Sequence, residues 1–131
     1  MTRIITLTLS LLLFGAVAQA QFSAEPGIEF AKEMHDFGEI MQHDPTVYHF
    51  EFTNTGTEPL ILSSVKGSCS CTVPQWPREP IMPGETGEIK VKYDSKRVGP
   101  FQKSITIVSN AANANTKVIR IKGNVKAAAS N

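Results

Sequence analysis

The sequence predicts an all-β protein, a single sandwich of two antiparallel sheets with about seven strands, on three observations. After Ala20 the chain holds 8 Val and 9 Ile but only 2 Leu, Leu60 and Leu62. β-Branched side chains fit a pleated surface, whereas helical domains lean on Leu and Ala, so a helix bundle is excluded. Several segments alternate apolar and polar residues with a period of two, the mark of strands with one face on a core and one in water. Turn-forming residues recur about every 8–12 residues, a spacing typical of sandwiches. A closed barrel is the structural alternative.

The chain opens with an export signature. Met1-Thr2-Arg3 supplies a positive start, Ile4 to Val17 is mostly apolar, and Ala18-Gln19-Ala20 is a small-x-small cleavage pattern. The apolar run is shorter than the roughly 20 residues a membrane span needs. Cleavage between Ala20 and Gln21 is expected, against the competing reading of an uncleaved anchor. No cysteine lies near that point to accept a lipid. The expected organisation is a signal peptide over 1–20, a linker over 21–27, the sandwich over 28–125 and a flexible tail over 126–131. The mature protein is expected to be exported, in the periplasm or outside the cell, and off the membrane after cleavage.

Each strand has its own pattern. Ile28–Met34 is expected as the first, with Ile28 and Phe30 on one face. Val47–Thr53 puts Tyr48, Phe50 and Phe52 on one side and His49 and Glu51 on the other. Asn54 to Pro59 breaks that pattern with turn chemistry, Asn and Gly being able to take positive φ. Leu60–Val65 follows, and Ser68–Val73 is expected as a short extra strand. Pro80–Gly84 precedes Thr86–Tyr93, where Ile89, Val91 and Tyr93 alternate with Glu88, Lys90 and Lys92. Asp94–Pro100 reads as a turn. Gln102–Ser109 and Lys117–Gly123 put Ile105, Ile107, Ile119 and Ile121 inward, joined by a polar hairpin loop over Asn110–Asn115. The expected core is Tyr48, Phe50, Phe52, Ile89, Val91, Ile105, Ile107, Ile119 and Ile121.

Charge and chemistry narrow the function classes. The chain carries 13 Lys+Arg against 12 Asp+Glu, a net charge of +1, which gives no reason to expect nucleic acid. Acidic residues gather from Glu25 to Glu58 and basic ones in the C-terminal half, either as solvated faces or as a dipole that steers a charged partner. Nothing resembles a nucleophile elbow or a phosphate-cradling loop. Asp36-Phe37-Gly38 lacks every companion of the kinase metal motif. No enzyme and no cofactor are expected.

The reactive-looking element is Cys69-Ser70-Cys71. In an extended strand the two residues share a face with Val73, about 6.6 Å apart, at the edge of disulfide reach. Three readings stay open: two thiols packed as small hydrophobes, a labile disulfide, or a soft-metal site. A metal would need His35, His43, His49 or the methionines Met34, Met41 and Met82. The antibody arrangement of distant cysteines around a core Trp is absent, since Trp76 follows both.

The order of motifs is more specific. His35-Asp36-Phe37-Gly38-Glu39-Ile40, Tyr48-His49-Phe50-Glu51-Phe52-Thr53-Asn54-Thr55-Gly56 and Glu58-Pro59-Leu60 come first. Gly67-Ser68-Cys69-Ser70-Cys71-Thr72, Pro83-Gly84-Glu85, Gly99-Pro100-Phe101 and Ser109-Asn110 follow. Together they resemble the bacterial domain-of-unknown-function family 1573 over roughly Ile28 to Val125. The resemblance implies an Ig-like sandwich similar to major sperm protein, cilia-associated ASH domains and the PapD chaperone. That family usually has Gly between its cysteines, where this chain has Ser70. The expected function is a non-catalytic exported module that binds a protein partner of unknown identity, or serves structurally, with its oligomeric state open. The alternative is thiol–disulfide or soft-metal handling centred on Cys69 and Cys71.

Overall fold

The computed structural model describes residues 24–129. Among these there is no helix, and eight strands form two four-stranded sheets. The strands are β1 (Glu29–Phe30), β2 (Met34–Met41), β3 (Thr46–Thr53), β4 (Leu62–Gly67), β5 (Thr72–Gln75), β6 (Thr86–Tyr93), β7 (Gly99–Ser109) and β8 (Thr116–Lys126). The first sheet has the order β1-β3-β6-β5 and the second β2-β8-β7-β4. All pairings are antiparallel except β2 with β8, which is parallel. The all-β sandwich expected from composition and alternation is the fold observed.

The period-two pattern explains the core. Phe50, Phe52, Ile89 and Val91 of the first sheet and Ile105, Ile107, Ile119 and Ile121 of the second are all buried. Phe101 stacks on Tyr93 with ring centroids 3.8 Å apart, closing one end between the sheets. Tyr48 departs from expectation and is half-buried, not core. The cause lies in β1, which ends at Phe30 because the chain then leaves the first sheet and crosses to the second. There the Arg120 N–H donates to the Glu33 carbonyl at 2.8 Å. Tyr48 is thus left at the rim, stacked on His35 at 3.7 Å.

The same crossing corrects the expected first strand, Ile28–Met34, which is really the short β1 followed by the start of β2. The segment around His35–Ile40 is a strand that lacks clean alternation, because it lies at a sheet edge and bulges between Asp36 and Glu39. The expected strand Leu60–Val65 lies instead at Leu62–Gly67, and eight strands stand where about seven were expected. The Gly99-Pro100 pair, read as turn, opens β7 opposite Val125 and Asn124. Strand β8 runs past Gly123 to Lys126, one residue into the expected tail. Gly123 does not end it: a Cβ there would sit 2.8 Å from the Phe101 ring, so the glycine makes room for that side chain.

The Phe-Thr-Asn-Thr-Gly motif also has a different cause from the positive φ expected. Neither Asn54 nor Gly56 has positive φ. Asn54 is fully buried as a hub: its Oδ1 accepts from the N–H groups of Gly27 (3.2 Å) and Gly56 (3.0 Å). Its Nδ2 donates to the carbonyls of Glu58 (2.7 Å) and Ile81 (2.9 Å). A Cβ on Gly56 would lie 2.5 Å from the Gly27 nitrogen, so glycine is needed for close backbone approach.

Candidate functional sites: an open strand edge and a cystine turn

Strand β1 leaves part of the first sheet uncovered. It pairs with β3 only at Thr53 and Phe52, and Ala31 N–H adds a bond to the Glu51 carbonyl at 3.1 Å. In an antiparallel strand the main-chain groups of alternate residues point to the same side. Those of Val47 and His49 therefore face the same edge as Glu51, and no described strand pairs with them there. The other edges are blunted. Strand β5 carries Pro74, and β4 and β2 are interrupted by bulges after Leu62 and Asp36.

The Cys69-Ser70-Cys71 segment is where the chain passes from β4 in the second sheet to β5 in the first. It bends and turns, which corrects the expected extended strand over Ser68–Val73. Ser68 N–H donates to the Ser104 carbonyl at 2.8 Å, Thr72 N–H to Cys69 at 3.2 Å, and Asp94 N–H to Cys71 at 2.8 Å. The bend brings the two cysteine Cα atoms to 5.3 Å, and the sulfurs are joined in a disulfide. Packing as two free thiols is therefore not what the structure holds. Both cysteines are half-buried, while Val73, expected beside them, is 52% exposed. Thr72, which as a neighbour of Cys71 in an extended strand would point the other way, is buried beside the bridge. Its Oγ1 lies 3.6 Å from Cys69 Sγ and 3.9 Å from Cys71 Sγ.

A groove beside the disulfide is lined by Asp94, Lys96, Arg97 and Lys103. Among the described residues none of those three cations forms an ion pair. Other lysines of the basic half do: Lys117, Lys122 and Lys126 on β8 meet Glu33, Asp36 and Glu39. Three charges of the early acidic segment are thus balanced from β8, whereas the groove at the cystine turn holds three cations against one carboxylate.

The other candidate ligands are scattered. His43 lines a second groove with Cys71. His49 pairs with Glu88 at 3.1 Å on the solvent face. His35 stacks on Tyr48 and meets Phe37 edge-on at 4.5 Å, and its Nδ1 is buried without a partner. Burial, then the charge of Lys32, holds the His35 pKa below the usual imidazole value despite Asp36. Met34, Met41 and Met82 are exposed. Among the described residues no three of His, Cys, Asp and Glu are grouped to hold a metal ion. A binding module of this kind is expected to offer a strand edge, but which strand offers it is not legible in the sequence, because the end of β1 sets it. The cationic groove was missed because its lysines and arginine come from β7 and the turn before it, distant in the chain from Cys69.

A family model described as "Protein of unknown function (DUF1573)" matches residues 28–125. No curated protein matches the chain. Among solved structures, a protein of unknown function from Porphyromonas gingivalis W83 is similar, with TM-score 0.70 and 22% identity, over 80% of this chain and 50% of that one. The Vibrio cholerae VesB protease has TM-score 0.62 and 13% identity, over 76% of this chain and 32% of that one. The ASH/PapD-like domain 7 of human CEP192 has TM-score 0.63 and 12% identity, over 89% of this chain and 97% of that one. The chain thus spans half the length of the first of these proteins and about a third of the second. At these identities the likeness is one of fold.

Proposed function

The chain belongs to the DUF1573 family, and from that premise we propose that it is an exported, protein-binding domain which accepts an extended segment of a partner along the open edge of β3. A non-catalytic binding or structural domain is the class that the family and the Ig-like fold support. One observation carries the finer reading. The main-chain groups of Val47 and His49 face a lane that β1 has vacated, and no described strand fills it. A partner strand laid there continues the line of β1, bonds to those groups, and reads side chains along the rim beside Tyr48 and His35.

Export rests on the charged start, apolar run and Ala18-Gln19-Ala20 pattern, which lie outside the described residues. Intact mass of the protein recovered outside the cytoplasm should place its first residue at Gln21. Full-length chain recovered in membranes would rule export by cleavage out.

Hydrogen exchange tests the edge. In the isolated protein the Val47 and His49 amides should exchange fast, and those of Tyr48 and Phe50, which face β6, slowly. A partner that docks as proposed should slow the first pair, and His49→Pro, which removes an outward N–H, should lose it. A partner bound equally by the variant, with no change at Val47 or His49, refutes the reading.

A further inference from the structure

We infer that the Cys69–Cys71 disulfide is a thiol-exchange site selective for thiols that carry negative charge. A structural staple closes a long loop, whereas this bridge encloses one residue, and the turn has three backbone hydrogen bonds of its own. Both cysteines are half-buried and line a groove that presents Lys96, Arg97 and Lys103 against the single carboxylate of Asp94. A disulfide sulfur carries no proton, so the Thr72 hydroxyl, 3.6 and 3.9 Å from the two sulfurs, is the donor and gives its one proton to either sulfur in turn. That hydroxyl bonds more strongly to a thiolate than to a neutral sulfur. The hydroxyl and the cations therefore favour the state in which one cysteine leaves as thiolate, the requirement for facile exchange.

The step balances with the thiol as the only co-reactant. The thiolate of a carboxylate-bearing thiol attacks one sulfur, the Cys69–Cys71 bond breaks, and a mixed disulfide forms while the other cysteine leaves as thiolate. A second thiolate of the same class attacks the mixed disulfide at the sulfur of the first. Two substrate thiols end as one disulfide, and the protein takes up two electrons and two protons as a dithiol. The three cations attract the incoming anion in both steps and repel a cationic thiol.

The oxidised protein is mixed with 3-mercaptopropionate or with cysteamine, and the appearance of alkylatable Cys69 and Cys71 is followed by mass spectrometry. Expressed per thiolate and relative to each reagent's rate with the uncharged disulfide of 2-mercaptoethanol, which cancels the intrinsic difference in nucleophilicity, the anionic reagent should react about tenfold faster, and rising salt should shrink the gap. The Lys96→Glu, Arg97→Glu, Lys103→Glu variant should abolish or invert the preference. A Glu-Cys-Glu peptide reacting faster than 3-mercaptopropionate assigns the site to protein thiols, and a slower one to small thiols. Equal normalised rates for both reagents, a preference indifferent to salt and to charge reversal, or a bridge that neither reagent opens in the folded protein overturns the inference. Where the triple variant folds poorly, the salt series on the unaltered protein is enough to decide between these outcomes.

Discussion

At Asn54 one side chain satisfies two N–H groups and two carbonyls from three separate segments. Asn54→Ala strands these buried groups and should cost about 3 kcal/mol by denaturant unfolding. Asn54→Asp, equal in size, loses both donors and should also destabilise, which separates hydrogen bonding from packing. Phe50 is wholly buried, so Phe50→Ala should cost about 3–5 kcal/mol. A loss below about 1 kcal/mol would mean that its side chain does not face the core. His35 makes stability depend on pH. Its folded pKa lies below 6.5, so the unfolded chain binds the proton more readily and stability falls as pH drops through 6.5 towards the folded value. His35→Phe should flatten that part of the stability–pH curve, read as the difference between the two proteins. Such residues were only half legible. Phe50 was found by alternation, but the hub role of Asn54 needs the Gly27 and Ile81 backbones beside it, which no local pattern reports.

At the scale of elements, sequence legibility tracked two-sidedness. Strand β6 was read to the residue, because it pairs on both edges and shows one face to water. Strand β2 was missed because it is an edge with a bulge, where the period-two signal fails. The cystine turn was read as strand because Cys, Thr and Val favour strands locally, whereas the change of sheet between β4 and β5 imposes a bend. Thus the pair Cys69/Cys71 was found by residue type, and its geometry was not. The bridge encloses a loop too short to restrict the unfolded chain much. Cys69→Ser with Cys71→Ser should therefore lower stability by only about 1–2 kcal/mol, against about 3 for a 15-residue loop. Thermal melting checks this. A loss above about 4 kcal/mol would make the bridge a structural staple.

Over the whole molecule, the two ends of the domain hold each other. Among the described strands β2, near its start, is bonded only to β8, near its end, so the far half of β2 depends on the last residues of β8. The pairs Glu39–Asn124, Ile40–Val125 and Met41–Lys126 anchor the far half of β2, and Val125 is 1% exposed in the core. Composition and periodicity could announce a sandwich, but not this parallel closure, since nothing local marks two strands so far apart as neighbours. The closure separates two truncations that differ by three residues. Ending the chain after Lys126 removes no residue of a described strand, and stability should stay within about 0.5 kcal/mol. Ending it after Gly123 takes away the buried Val125, about 1.5–3 kcal/mol by itself, and unpairs β2 from Glu39 onwards. That shorter chain should lose at least about 3 kcal/mol and show fast amide exchange through residues 39–41. If both truncations melt alike, β2 does not depend on β8, and the parallel pairing does not hold the domain together.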